Sequence, residues 1–127
     1  MFKIIFYTDQ SGYSEVGEYI ANLAKSIDKD SRIKYTKTRM YLKLLEQNGL
    51  RLGEPHIKKL DKEIWELRPL NDRILFVHWN SNEFPLLSHF TKTTRKTPKS
   101  EIRKAKKLLK NYQERRDIHG RINVGRT

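Results

Sequence analysis

A chain of 127 residues, 36% hydrophobic and holding two Trp, six Tyr and five Phe, has material for one modest core and one domain. The lack of any cysteine excludes a disulfide framework, a thiol nucleophile and a Cys-ligated metal. The formal charge of +12 is concentrated at one end, because residues 92–127 carry 13 Lys/Arg against 3 Asp/Glu while residues 1–91 carry 14 against 12.

Such an asymmetry argues for a polyanionic partner, nucleic acid first and an acidic protein second, over the blander reading of a solubilising face. The apolar run from Met1 to Tyr7 is too short for a signal-peptide core, and no other stretch approaches the length of a bilayer span. A protein of the cytoplasm without membrane contact is the expectation.

Lys3 to Thr8 predicts an opening strand, closed by the turn residues Asp9 to Gly12. Val16, Ile20, Leu23, Ala24 and Ile27 then fall on one helical stripe behind a Ser14 cap. A second helix, capped within Asp28 to Ser31, is expected to bury Ile33, Met40, Tyr41, Leu44 and Leu45 and to stop at Asn48-Gly49. The two helices form an antiparallel hairpin.

Leu50 to His56 reads as an irregular connection, and Ile57 to Leu60 as extended chain leading onward. Three β-prone runs follow, Ile64-Trp65-Glu66-Leu67-Arg68, Arg73-Ile74-Leu75-Phe76-Val77-His78-Trp79 and Leu86-Leu87-Ser88-His89-Phe90-Thr91-Lys92. With turn chemistry between them they predict an antiparallel meander. Thr97-Pro98 then starts a basic helix, with threonine as cap and Ile102, Ala105, Leu109 and Tyr112 toward the sheet. The pattern lapses from Arg116. The expected organisation is α+β, one domain over residues 1–116 and a basic, flexible tail over 117–127.

Strand alternation turns Glu66 and Arg68 away from Trp65 and Leu67, which puts charge on a sheet face. Glu66, Arg68 and Arg73, with His89 and Lys92 at the end of the last strand, are the candidate catalytic set for a phosphodiester. A base takes the ribose 2'-hydroxyl proton, guanidinium groups stabilise the transition state, and a cation or acid assists the leaving oxygen.

Lys58, Phe90, Arg95, Lys96 and Lys99 are candidate RNA contacts, Phe90 by stacking on an unpaired base. An ordinary surface ion pair between Glu66 and Arg68 is the competing reading. Lys59 and Lys62 are read as solvated, and His78 as a hydrogen-bonded core histidine. His56, His78, His89 and His119 form no metal-ligand spacing, and neither a G-x-S-x-G elbow nor a phosphate-cradling glycine loop is present. No cofactor is expected.

The element order, together with the progression Leu67-Arg68, Arg73-Ile74-Leu75-Phe76, His89-Phe90-Thr91-Lys92 and Lys96-Thr97-Pro98, resembles the RelE/ParE toxin superfamily, closest to its HigB branch of phage-derived toxin-like proteins. The resemblance implies the toxin of a type II toxin-antitoxin pair, a metal-independent endoribonuclease that cuts translated mRNA on the ribosome. Arg68 and Arg73 would then be phosphate and transition-state stabilisers, and Lys92, Arg95 and Lys96 further RNA contacts or an acid. Superfamily members place lysines on the first meander strand where this chain has Glu66, so the general base is left open.

The implied partner is a HigA-like helix-turn-helix antitoxin, with operator DNA reached only through the complex. Two rival readings are a ParE-like gyrase poison and a noncatalytic RNA- or ribosome-binding module.

Overall fold

A computed structural model describes the backbone of residues 1–125 and the side chains of residues 1–116. In chain order it comprises β1 (Lys3–Phe6), α1 (Glu15–Lys25), α2 (Lys29–Asn48), a 3-10 turn (Gly49–Leu52), β2 (Ile57–Lys59), β3 (Trp65–Leu67), β4 (Asp72–Phe76), β5 (Glu83–Thr91) and α3 (Lys99–Gly125). The fold is α+β, as the sequence patterns lead one to expect. The side chains of the tail over 117–127 lie outside the described residues, while the backbone of α3 continues helical to Gly125.

One sheet has the order β1-β5-β4-β3-β2, with β1 parallel to β5 and the remaining pairs antiparallel. It has one strand more than the opening strand plus meander. Ile57–Lys59 pairs with β3, because Ile57 is apolar enough to enter the core opposite Leu67 while Lys58 and Lys59 stay in solvent.

The two faces of the sheet carry separate cores. On one, Val16 and Leu45 of the helical hairpin pack on Leu67, Ile74, Phe76, Phe84 and Leu86. On the other, Ala105, Leu109 and Tyr112 of α3 cover Ile64, Leu75, Val77 and Leu87. Alternation along β4 accounts for the division, since Ile74 and Phe76 go one way and Leu75 the other.

The helix ends follow their capping chemistry. Ser14 accepts from the Gly17 N–H and Asp28 from the Ser31 N–H, each satisfying a donor that the helix itself leaves open. Gly49 ends α2 at φ +62, and a Cβ there would lie 2.5 Å from the Phe2 ring, so both conformation and space call for glycine.

The apolar face of α2 is rotated from the expected one. Thr38, Tyr41, Leu42 and Leu45, at i, i+3, i+4 and i+7, reach the sheet core, whereas Ile33 and Met40 are each 46% exposed. Ile27, assigned by periodicity to the α1 stripe, falls after the helix has ended at Lys25 and is almost fully exposed. His78 is also outside the core: β4 ends at Phe76, and the exposed imidazole rests against Phe84 and Phe2.

Candidate functional site

Glu66 and Arg73 sit on adjacent strands of the sheet face that α3 partly covers. In the register of β3 and β4, Glu66 lies opposite Leu75 and Leu67 opposite Ile74, so Glu66 shares the face of Leu75 and Arg73. Arg68, two residues beyond Glu66, turns to the same side. Both arginines converge on one carboxylate oxygen: Glu66 Oε2 is 3.5 Å from Arg68 Nε and 3.9 Å from Arg73 Nε. The two guanidinium groups therefore lie on the same side of the sheet, around one carboxylate.

The three side chains differ in access. Glu66 is 2% exposed and Arg73 6%, whereas Arg68 is partly open and also reaches Glu54 at 3.7 Å. Arg73 Nη1 donates to the Leu70 and Asp72 carbonyls at 2.8 and 2.9 Å. These bonds fix the β3–β4 turn, where Leu70 takes a positive φ of 56, which is uncommon for a residue with a branched side chain. Burial depresses the Arg73 pKa, Glu66 opposes that shift, and the neighbouring Arg68 adds to it.

The second oxygen of Glu66 is also engaged. Thr97 Oγ1 donates to Glu66 Oε1 at 2.6 Å, so the residue expected to cap α3 spends its hydroxyl on the sheet. At the other end of the same loop the Lys92 N–H donates to the Asn71 carbonyl at 2.7 Å. The loop between β5 and α3 is therefore tied down at both ends, with Arg95 and Lys96 exposed between the ties.

Lys58 lies opposite Glu66 in the β2–β3 register and extends the cationic border into solvent, and the exposed Lys99 opens α3. Phe90 pairs with Arg73 and shares its face, half-buried against the α3 core. Of the residues singled out from sequence, Glu66, Arg68, Arg73, Phe90 and Lys58 are thus gathered on one face, with Lys92, Arg95, Lys96 and Lys99 along its border.

His89 is not among them. It pairs with Ile74 and points to the opposite face, where it stacks on Tyr19 of α1 at 4.3 Å and its Nδ1 lies 3.0 Å from Glu15. Adjacent residues of a strand face opposite ways, so a place on the same face as Phe90 was never open to His89. The Glu15 carboxylate also accepts from the His89 backbone N–H at 2.8 Å and from Lys104 at 2.6 Å. Burial would raise its pKa, but these bonds outweigh burial and hold it down at about 2.

Beside it is a cluster that the sequence pattern did not suggest. Asp72, 1% exposed, accepts from the Tyr19 hydroxyl, from Thr91 Oγ1 at 2.8 Å and from Lys34 Nζ at 3.4 Å. Burial, and then the bond to Asp72, pushes the Tyr19 phenol up. The one available signal was an acidic residue opening a strand otherwise made of apolar residues and Arg73.

Among the described residues no group of three or more His, Cys, Asp or Glu is placed to hold a metal ion, and no helix is long and apolar enough to cross a membrane. No curated protein matches the chain. A family model described as phage-derived protein Gp49-like (DUF891) matches residues 25–110, the stretch from the end of α1 through β2 to β5 and into α3. With the shared arginine face lying inside that stretch, the chain belongs to the Gp49-like phage-derived proteins, a toxin-like family of the RelE/HigB type.

Proposed function

We propose that this chain is the toxin of a toxin-antitoxin pair and acts as an endoribonuclease on translated mRNA, through the face that carries Arg68 and Arg73. The observation that supports this reading most is the meeting of the two guanidinium groups at one buried carboxylate, bordered by a tethered cationic loop. A guanidinium fork presents donors that match the oxygens of a phosphate, and a partly desolvated fork stabilises the extra charge of a pentavalent transition state more strongly than one in bulk water. Arg68 is the accessible member of the pair, and Arg73 supports it from behind.

In this reading Glu66 is a positioning residue. With 2% exposure and both oxygens occupied, it holds two like charges at short range, a task that needs a carboxylate between them. The proton of the attacking 2'-hydroxyl then goes to a group on the substrate side, which fits action on RNA held by the ribosome. Phe90 and the loop cations Lys92, Arg95 and Lys96 would hold the neighbouring nucleotides. The silencing partner is a HigA-like helix-turn-helix antitoxin, and operator DNA is met through that complex.

The test is to induce the wild-type chain and its Arg73→Ala variant and to map the 5' ends of cellular transcripts. Cuts within translated codons, absent for the variant while it still binds the antitoxin, are the expected result. Intact RNA with stalled replication would replace this reading with a gyrase poison. Intact RNA with neither defect would leave a binding module.

A further inference from the structure

At the end of β3 and β4 remote from the arginine pair lies a groove of ≈ 370 Å³ whose lining includes Lys59, Lys62, Trp65, His78, Trp79 and Gln113. It contains both tryptophans of the chain. Trp65 is set by its register opposite Phe76 and Lys59, and both indoles are partly exposed. Trp79 is held by paired backbone bonds with Glu83 at 2.7 and 2.9 Å and packs edge-on against Tyr112. Its Nε1 donor has no acceptor among the described residues.

The wall is fixed as well. Asp61, in the β2–β3 turn, binds Lys106 of α3 at 2.6 Å.

The charge in the groove is cationic and uncommitted. Lys59 Nζ lies 5.9 Å over the Trp65 ring, Lys62 is exposed, and among the described residues neither lysine has an ion-pair partner. Glu63 is the one carboxylate in the lining. Aromatic faces beside free cations serve a ligand that is both flat and anionic, and an unpaired nucleotide is that ligand: its base has a π-face and its backbone a phosphate. An acidic peptide would engage the lysines and leave the indoles without a role.

We propose that this groove is a second binding site for single-stranded RNA, one that holds an unpaired base against the indoles and its phosphate against Lys59 and Lys62. This rests on RNA being the substrate of the arginine face. Trp65 itself packs toward the opposite face from Arg73, but Trp79 and Gln113 bring the groove to the α3 side that Arg73 shares, and it begins three residues along β4 from Arg73, about 10 Å at strand spacing, within reach of one RNA strand. The groove then sets the direction and length of RNA that the arginine face accepts, without taking part in cleavage.

Because every indole of the chain lines this groove, tryptophan fluorescence reports on it directly. The full chain is titrated with a short single-stranded oligouridylate at low salt. Saturable quenching is expected, weakened at least tenfold in a Lys59→Glu, Lys62→Glu double variant that melts at the wild-type temperature. Arg68→Ala, which removes the partly exposed member of the arginine pair, is expected to keep the quenching while losing transcript cleavage, so failure of the groove and failure of the arginine face are told apart. The proposal is overturned if the oligonucleotide binds by gel shift without quenching, if the double variant binds as tightly as wild type, or if polyglutamate quenches as strongly as RNA.

Discussion

The two faces of the sheet each carry a cluster of charge, and they are built on opposite plans. Glu15 of α1, His89 of β5 and Lys104 of α3 form one closed set that links the two sides of the sheet, and on the helical-hairpin face Asp72 forms another with Tyr19, Thr91 and Lys34, so each carboxylate is met by donors. On the α3 face, one carboxylate is shared by two arginines within a border of exposed cations. The first arrangement has its charges matched and serves to fasten α1 and α2 to the sheet. The second has positive charge left over, and an incoming anion completes it. Surplus charge of one sign, more than the number of charged groups, separates a binding face from a brace.

If the hairpin-face cluster is a brace, its removal should register in stability above all. Asp72→Ala leaves the half-buried Tyr19 hydroxyl, the Thr91 hydroxyl and the partly exposed Lys34 ammonium without their acceptor and should lower the free energy of unfolding by about 1–3 kcal/mol, read from urea denaturation. A change well below 1 kcal/mol would put Asp72 outside the brace.

The converse applies to the arginine face. Arg68→Ala should abolish growth arrest on induction while shifting unfolding by about 1 kcal/mol, less than Asp72→Ala, since its pair with Glu54 is solvated and Arg73 and Thr97 remain to meet the buried Glu66. A variant that arrests growth at full strength would detach Arg68 from the chemistry.

Glu66 sharpens the contrast further. Removing a general base costs about 10²–10⁴-fold in rate and deletes a limb of the pH profile. Glu66→Gln retains the shape of the side chain and an acceptor for Thr97, so as a positioning residue it should lose less than that and keep the profile. Loss of the acidic limb would return Glu66 to the role of base.

The smallest expected effect is in acid. The Glu15 carboxylate is held at about 2, below its ordinary 4.5, so its stabilising contribution is complete above the higher value and disappears as the pH falls toward the lower one. Unfolding followed between those limits should show a decline in the wild type that Glu15→Gln flattens.

The arginine face was legible because its logic is local. Alternation at Trp65, Glu66, Leu67 and Arg68 decides sidedness within four residues, and Arg73 opens the next strand after a short turn. His89 was misplaced for the same reason in reverse: closeness in sequence to Phe90 and Lys92 suggested company that strand geometry forbids. Ile33 and Met40 were assigned inward because they are apolar, yet α2 has more apolar positions than one face of a sheet can receive, and which of them is buried depends on the helix's rotation against that sheet. Lys59 and Lys62 read as solvated, and the groove beside them depends on bringing Trp79 and α3 to the β2–β3 turn.

Composition determined the cationic balance, and periodicity and turn chemistry by themselves determined the order of helices and meander strands and the sheet side shared by Glu66 and Arg68, because each of these is settled by neighbours within a few residues. Only the tertiary structure decided that Glu66 is enclosed by Thr97, that β2 joins the sheet, and that Asp72 fastens the hairpin. The bonds of Glu66 with Thr97 and of Asp72 with Tyr19 join residues 31 and 53 positions apart, and the place of β2 depends on how whole elements pack; contacts of this kind are chosen by packing and desolvation after the local pattern has been spent.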